Sequence, residues 1–126
     1  MEMEITIEDL CKELKERLDK SSCLSLFYIG EICDINDAIK RHEKEGYNET
    51  IPLAKGSHPI ISKGEEYLIK FFKNSDLKDK LKNKIDNSVG SDKATFLYVS
   101  LVIKPQIIEE LDDDDLDWPE IYTLKD

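Results

Sequence analysis

The spacing of apolar residues divides most of the chain into helical and extended segments. A first helix is predicted to begin after Thr6, a good capping residue, and to end near Lys20. The apolar positions of this helix fall on one side and are Ile7, Leu10, Cys11, Leu14 and Leu18. Residues 24–29 then form a pattern typical of a strand, and Gly30 permits a backbone bend or a close approach of another segment.

A second helix is predicted to begin after the capping residue Asp34 and to end near Gly46. Its inward positions are Ile35, Ala38, Ile39 and His42. The next region, residues 47–61, contains two prolines and a glycine. We therefore expect a loop there, with at most a short edge strand at residues 50–53.

Three further elements are predicted in the second half of the chain. A capping-box pattern at residues 62–65 predicts a third helix that is capped by Ser62. Apolar residues at four-residue spacing predict a fourth helix from about Asp76 to residue 85. Residues 95–103 are rich in β-branched and aromatic side chains and are followed by Pro105, so they form the strongest predicted strand.

The order of these elements predicts an α/β (α+β) fold, in which a small few-stranded sheet packs with about four helices. A length of 126 residues, 40% of them hydrophobic, favours one globular domain over residues 1–105 and an acidic tail over residues 106–126. No apolar run approaches the roughly 20 residues of a membrane helix, so we expect a cytoplasmic protein without a membrane partner. The spacing of the three cysteines fits neither a disulfide framework nor a zinc site.

The net charge of −10 is concentrated near the C-terminus. Residues 106–126 contain nine acidic residues and one lysine, which leaves a net charge of −2 for residues 1–105. The candidate partner-binding residues of the tail are Asp112, Asp113, Asp114, Asp115, Trp118 and Tyr122. Acidic segments with large apolar side chains are typical of docking onto a basic, grooved protein surface. The alternative is that Trp118 folds back onto the protein's own core.

Candidate catalytic and metal-binding residues lie on the first strand and on two of the helices. Tyr28 precedes Gly30, and His42 lies twelve positions beyond that glycine. Glu65 precedes a Leu-Ile pair in the third helix. In this order, over about residues 24–90, they resemble the second half of the signature of GIY-YIG nucleases. The residues that the resemblance implies for an active site are Tyr28, His42 and Arg41 for catalysis and Glu65 for binding Mg²⁺ or Mn²⁺.

The sequence departs from this signature at three places, one of which is Glu31, directly after Gly30, where the family often has a lysine. In such nucleases a tyrosine from an earlier GIY strand helps to activate water and an arginine steadies the phosphate. Here no GIY precedes Tyr28, and Ala38 stands at the arginine position. Arg41 follows one turn later, about 60° further round the helix. Structural roles remain open as well, with Tyr28 as a packing residue and Glu65 as part of the capping box.

These departures and the acidic charge favour a non-catalytic binding protein on a degenerate GIY-YIG-like scaffold. We expect it to engage or inhibit a nucleic-acid-handling protein through a surface that mimics phosphate. It is expected to need no cofactor and not to bind nucleic acid directly. The alternative is a divalent-metal-dependent GIY-YIG-like endonuclease that is restrained by its acidic tail.

Overall fold

The computed structural model describes residues 3–20, 24–82, 95–103, 118 and 121–125. Within them, three α-helices and one short 3-10 turn accompany a five-stranded sheet. The helices are α1 (Ile7–Asp19), α2 (Ile35–Lys44) and α3 (His58–Lys73), and the turn is Lys78–Lys80. The strands are β1 (Glu4–Thr6), β2 (Leu24–Ile32), β3 (Glu49–Lys55), β4 (Phe96–Ile103) and β5 (Tyr122–Lys125). The predicted α+β fold class is confirmed.

The sheet mixes parallel and antiparallel pairs in the order β1-β5-β3-β4-β2. β4 lies between β2 and β3 and is antiparallel to both, whereas β5 is parallel to β1 and β3. The strand predicted at residues 95–103 is β4, and it carries buried side chains on both faces. A strand that is covered on both faces requires apolar residues at nearly every position, which explains its continuous apolar pattern.

The two faces of the sheet carry different kinds of residue. On one face, Leu97 of β4 and its alternate neighbours join the main hydrophobic core with α1 and α3. Phe27 of β2 packs on that face against Phe72 of α3, with ring centroids 5.1 Å apart. Because successive strand side chains point to opposite faces, Tyr98 lies on the other face, which α2 covers. The polar groups described below gather on this second face.

The helix boundaries that the capping residues predicted are confirmed for α1 and α2. Thr6 Oγ1 accepts a hydrogen bond from the Asp9 N–H at 3.2 Å. Asp34 Oδ1 accepts one from the Asn36 N–H at 3.0 Å. Gly46 follows α2 with a φ of 98°, a left-handed conformation that glycine adopts without steric cost. None of the helices in the described part of the chain is long and apolar enough to cross a membrane.

The prediction of a loop over residues 47–61 is wrong, because β3 occupies Glu49–Lys55 and α3 begins at His58. β3 is also not an edge strand, since it lies between β4 and β5. Its register against β4 shifts between Pro52 and Ala54. This irregularity accommodates a proline, which has no N–H to donate to a neighbouring strand.

The predicted start of the third helix is also wrong, because α3 begins before the expected cap at Ser62. Ser57 occupies the N-cap position, and Pro59 lies in the first turn, where the missing N–H of a proline is tolerated. Glu65 consequently lies within α3, and only 5% of its surface is exposed. Its interpretation as a capping-box residue is therefore excluded.

The predicted fourth helix is not formed by the residues described after α3. The chain makes the 3-10 turn Lys78–Lys80 and then becomes extended at Leu81. Leu81 forms a bridge with Phe27, and the Lys82 N–H donates to the Phe27 carbonyl at 2.8 Å. The rest of that predicted helix, residues 83–85, lies outside the described residues. This segment is therefore fixed to the outer edge of β2.

Part of the segment predicted as an acidic tail belongs to the sheet. β5 lies between β1 and β3, and the Thr123 N–H donates to the Met3 carbonyl at 2.8 Å. Trp118 packs against the hydrophobic core, and Tyr122 is buried within it. The structure thus has the folded-back arrangement that the sequence left open. The four acidic residues Asp112, Asp113, Asp114 and Asp115 lie outside the described residues.

Candidate functional site

The site is built where β2 brings Gly30 beside Tyr98 of β4. The sequence predicted that the strand stops at this glycine, but β2 continues to Ile32 because β4 pairs with it beyond that point. A Cβ atom at position 30 would lie 2.5 Å from Cζ of Tyr98 and closer still to its hydroxyl oxygen. Glycine leaves room for the aromatic ring, so the close approach that the sequence predicted is made by Tyr98.

Tyr98 and His42 form a buried hydrogen bond inside a group of aromatic rings. The Tyr98 hydroxyl oxygen lies 2.8 Å from Nε2 of His42, and 1% of Tyr98 and 5% of His42 are exposed. The rings of Tyr28, Tyr47 and Tyr98 lie 5.2, 5.0 and 5.3 Å from the imidazole ring. We refer to these four side chains as the tyrosine–histidine cluster. His42 reaches it from α2, which lies close to the sheet because the small Ala38 is fully buried beneath it.

The environment of His42 determines its charge and its tautomer. Burial lowers the pKa of His42 below its usual 6.5, and the charges of Arg41 and Lys82 act in the same direction. The Glu45 carboxylate opposes this shift, with Oε1 3.0 Å from Nδ1. The imidazole is therefore neutral at pH 7 and carries its proton on Nδ1, beside that carboxylate. Nε2 is then the acceptor of the hydrogen bond that the Tyr98 hydroxyl donates.

Tyr98 and Tyr28 both keep their protons at neutral pH. Burial raises the pKa of Tyr98 far above its usual value, and a hydrogen bond from Arg41 opposes the rise. Burial and the charge of Glu65 raise the pKa of Tyr28, while Arg41 lowers it. Arg41, one turn beyond Ala38, therefore acts on both tyrosine hydroxyls through its charge, which stabilises any negative charge that develops on them.

Glu65 is a buried carboxylate on α3, the helix that packs on the opposite face of the sheet from α2. Its charge raises the pKa of both Tyr28 and Tyr98, so it lies within electrostatic reach of the two hydroxyls. Among the described residues, no group of three or more His, Cys, Asp or Glu side chains is placed to hold a metal ion. A single carboxylate still suits Mg²⁺, which is usually bound by one or two carboxylates, water and substrate phosphate. Glu65 fits that type of ligand.

The structure brings together two side chains that the sequence singled out, Tyr28 and His42, and one that it did not, Tyr98. Arg41 and Glu65 act on the two tyrosines through their charges. Tyr98 is missed, because its place in an apolar strand is typical of a core residue. Only the register of β4 against β2 puts Tyr98 opposite Gly30. The alternation of residues 95–103 shows which side chains share its face, but not which strand lies beside them.

Trp118 and Tyr122, the aromatic residues of the predicted tail, contact β3 and α1. The Trp118 indole N–H donates to the Leu53 carbonyl at 3.2 Å, and the Arg17 guanidinium lies 5.3 Å from the centre of the indole ring. The Tyr122 hydroxyl donates to Oε1 of Glu13 at 3.2 Å. Tyr122 also lines an open groove of about 390 Å³. The acidic side chains of this groove are Glu4, Asp9, Glu13 and Glu16.

No family model, characterised protein or solved structure matches this chain. The chemistry that the site can perform is therefore inferred from its own side chains. His42 is a neutral imidazole that accepts a phenolic proton, Arg41 is a cation beside the phenol, and Glu65 is a buried carboxylate. Such groups can accept a proton from water, neutralise an anion and hold a divalent cation. These are the requirements of phosphoryl transfer to water.

Proposed function

We propose that this protein is a divalent-metal-dependent GIY-YIG-like endonuclease that acts in the cytoplasm, with Tyr98 in the role of the missing GIY tyrosine. The observation that carries the proposal is the 2.8 Å hydrogen bond between the Tyr98 hydroxyl and His42, beside Gly30. The resemblance expects this tyrosine from a strand that comes before Tyr28. In this chain the strand that pairs with β2 comes later, but what matters to the chemistry is where the hydroxyl lies.

The hydrogen bond suggests how water is activated. The phenolic oxygen of Tyr98 accepts a hydrogen bond from the attacking water, while the phenolic proton moves to Nε2 of His42. Water then loses a proton to the phenolic oxygen of Tyr98 as the water oxygen bonds to phosphorus. The bond between phosphorus and the leaving oxygen breaks, and the leaving oxygen takes a proton from solvent. The Glu45 carboxylate beside Nδ1 stabilises the imidazolium that results. This concerted route avoids a free phenolate, which burial makes costly.

Arg41 and Glu65 deal with the charge of the substrate. The Arg41 guanidinium steadies the phosphate in place of the arginine that the resemblance expects at Ala38. Glu65 would hold a divalent ion, which would supply positive charge to the phosphoryl group. The charges of Arg41 and Glu65 both act on the Tyr28 hydroxyl. This hydroxyl can donate a hydrogen bond to the phosphate that Arg41 contacts.

The test is cleavage of labelled single- and double-stranded DNA and RNA by the full chain, with Mg²⁺ and with Mn²⁺. Tyr98→Phe removes the hydroxyl, and we expect kcat to fall at least about a hundredfold. Its control is Tyr67→Phe, because Tyr67 is a 44% exposed tyrosine on α3. Glu65→Gln removes the metal ligand and is compared with Glu66→Gln at the exposed neighbouring position. Both controls are expected to cleave within twofold of the wild type.

Two results would contradict the proposal. One is a wild-type protein that cleaves none of the four substrates with either metal. The other is a Tyr98→Phe variant that folds normally and cleaves as fast as Tyr67→Phe. The proposed restraint by the tail has its own test, since replacing Asp112, Asp113, Asp114 and Asp115 by Asn should raise the cleavage rate.

A second candidate is the non-catalytic acidic binding protein, for which the open groove beside β1 and α1 is the favourable observation. Four carboxylates and one lysine line the groove, and they suit a basic peptide segment of a partner protein. We expect Glu4→Gln with Asp9→Asn to weaken binding of a lysine-rich decapeptide in calorimetry. The charge-matched control is Asp37→Asn with Glu43→Gln on α2, and equal affinities in the two double variants would exclude this candidate.

A further inference from the structure

We propose that Lys82 extends the site into a second phosphate-binding position, where it holds the nucleic-acid phosphate next to the cleaved phosphate that Arg41 contacts. The subsite lies at the tyrosine–histidine cluster, with one cation contributed by α2 and the other by the segment after the 3-10 turn. The chemical identity of the ligand rests on the proposed function. The position of Lys82 does not, because it follows from the contacts of Lys82 with Phe27 and Tyr47.

The backbone of Lys82 is anchored next to the site. Its N–H donates to the Phe27 carbonyl at 2.8 Å, and the preceding Leu81 forms a bridge with Phe27. Phe27 is the neighbour of Tyr28 in β2, so the anchor is one residue away from the cluster. A side chain that starts from such a fixed point loses less conformational freedom when it binds a ligand.

The side chain of Lys82 is directed over the cluster. Its ammonium nitrogen lies 5.3 Å from the ring centre of Tyr47, whose buried ring packs edge-on against His42. This cation–π contact orients the ammonium group, while Lys82 as a whole is exposed to solvent. Lys82 and Arg41 both lower the pKa of His42 through their charge, so the two cations act on the same buried group.

Neither cation is neutralised by a carboxylate among the residues that the structure describes. The ion pairs found there involve other lysines, Arg17 and His42. The charge of Arg41 instead lowers the pKa of Tyr98 and of Tyr28. Within residues 3–20, 24–82, 95–103, 118 and 121–125, a polyanion can therefore bind without displacing a carboxylate from either cation. Arginine offers a planar fork to one phosphate and lysine a compact charge to the next, which is a combination suited to a nucleic-acid backbone.

The test measures binding of a fluorescein-labelled ten-nucleotide thymidylate DNA by anisotropy, in EDTA, over a range of NaCl concentrations. Lys82→Gln is compared with Lys78→Gln, which removes the same charge from an exposed lysine in the 3-10 turn. For Lys82→Gln we expect the slope of log K against log salt to fall by about 0.7, the value for one phosphate of a single strand. Lys78→Gln should leave the slope unchanged, and Lys82→Arg should retain most of it.

The cleavage assay gives a second readout. Lys82 contacts a phosphate that does not react, so Lys82→Gln should raise KM roughly threefold or more and change kcat by a smaller factor than KM. The inference is overturned if Lys82→Gln matches Lys78→Gln in both salt slope and KM, or if the wild type does not bind the DNA at low salt. If the wild type binds DNA through Lys82 but cleaves none, the subsite stands and the proposed function fails.

Discussion

Gly30→Ala is the substitution that tests the geometry of the site most directly. The added Cβ would lie 2.5 Å from Cζ and 2.8 Å from Cε1 of Tyr98. Real Cβ contacts are longer, so the Tyr98 ring has to move, although it is 99% buried between its neighbours. Moving the ring also removes the Tyr98 hydroxyl from His42 and leaves a buried imidazole nitrogen without its hydrogen bond.

The expected loss of stability combines these two effects. Overpacking a core position costs about 1–3 kcal/mol, and a buried group that loses its hydrogen-bond partner costs about 1–3 kcal/mol. We therefore expect Gly30→Ala to lower the free energy of unfolding by roughly 2–6 kcal/mol. With a urea dependence of about 2 kcal/mol per molar, the unfolding midpoint should fall by roughly 1–3 M. Cleavage activity should be lost together with the hydrogen bond.

The assay is urea unfolding followed by circular dichroism and by the fluorescence of Trp118, the single tryptophan. Gly56→Ala is the control, because its Cβ would lie 3.3 Å from the Leu124 carbonyl oxygen, a tight but far smaller conflict. We expect it to cost less than about 1 kcal/mol. In the double variant of Gly30→Ala with Tyr98→Leu, the large ring is gone and the alanine should cost much less.

The reasoning is refuted if Gly30→Ala unfolds at the same urea concentration as the wild type. It is also refuted if Gly30→Ala costs as much in the Tyr98→Leu background as in the wild type. In a double-mutant cycle, residues in contact are expected to show a coupling free energy of about 0.5–3 kcal/mol. A coupling of zero would mean that the two residues do not meet.

Three further predictions concern other parts of the molecule. Burial lowers the pKa of His42 in the folded state, so the contribution of neutral His42 to stability is complete above pH 6.5 and is lost as the pH falls through the pKa of the folded state. In urea unfolding, the stability advantage of the wild type over His42→Asn should therefore shrink between pH 7.5 and pH 5. Burial raises the pKa of the Cys11 thiol to about 12, so Cys11 should resist mild alkylation until the protein unfolds, whereas the exposed Cys33 should be modified. Mass spectrometry measures both, and equal modification of the two cysteines in the folded protein would contradict this prediction. Trp118→Phe removes the indole N–H from the Leu53 carbonyl, and the free energy of unfolding measured by circular dichroism should fall by about 0.5–1.5 kcal/mol; no change would mean that the contact does not stabilise the fold.

The elements that the sequence predicted correctly are those whose determinants are local. α1 and α2 begin after Thr6 and Asp34 because these side chains bond N–H groups only two or three residues away. β4 is predicted because its side chains are suited to a sheet that is covered on both faces. Tyr28, His42 and Glu65 are predicted from their order and spacing within one stretch of the chain, and both are local properties of the sequence.

The elements that the sequence predicted wrongly depend on neighbours that are distant in the chain. Pro52 is compatible with an interior strand only because the pairing of β3 with β4 is irregular beside it. Pro59 does not interrupt a helix, because the helix starts just before it. The burial of Glu65 required the true start of α3. In each case the residue type allowed two structures, and packing selected one of them.

The sequence by itself determined the α+β class, the helices with local caps, the long apolar strand and most of the polar residues of the candidate site. The tertiary structure alone decided that β4 lies beside β2, that Tyr98 occupies the space above Gly30, and that Trp118 rests on the protein's own core. The physical reason is that helix caps and periodicity act over a few residues. The Tyr98–His42 hydrogen bond instead joins residues 56 positions apart, and such a contact exists only after the strands have paired.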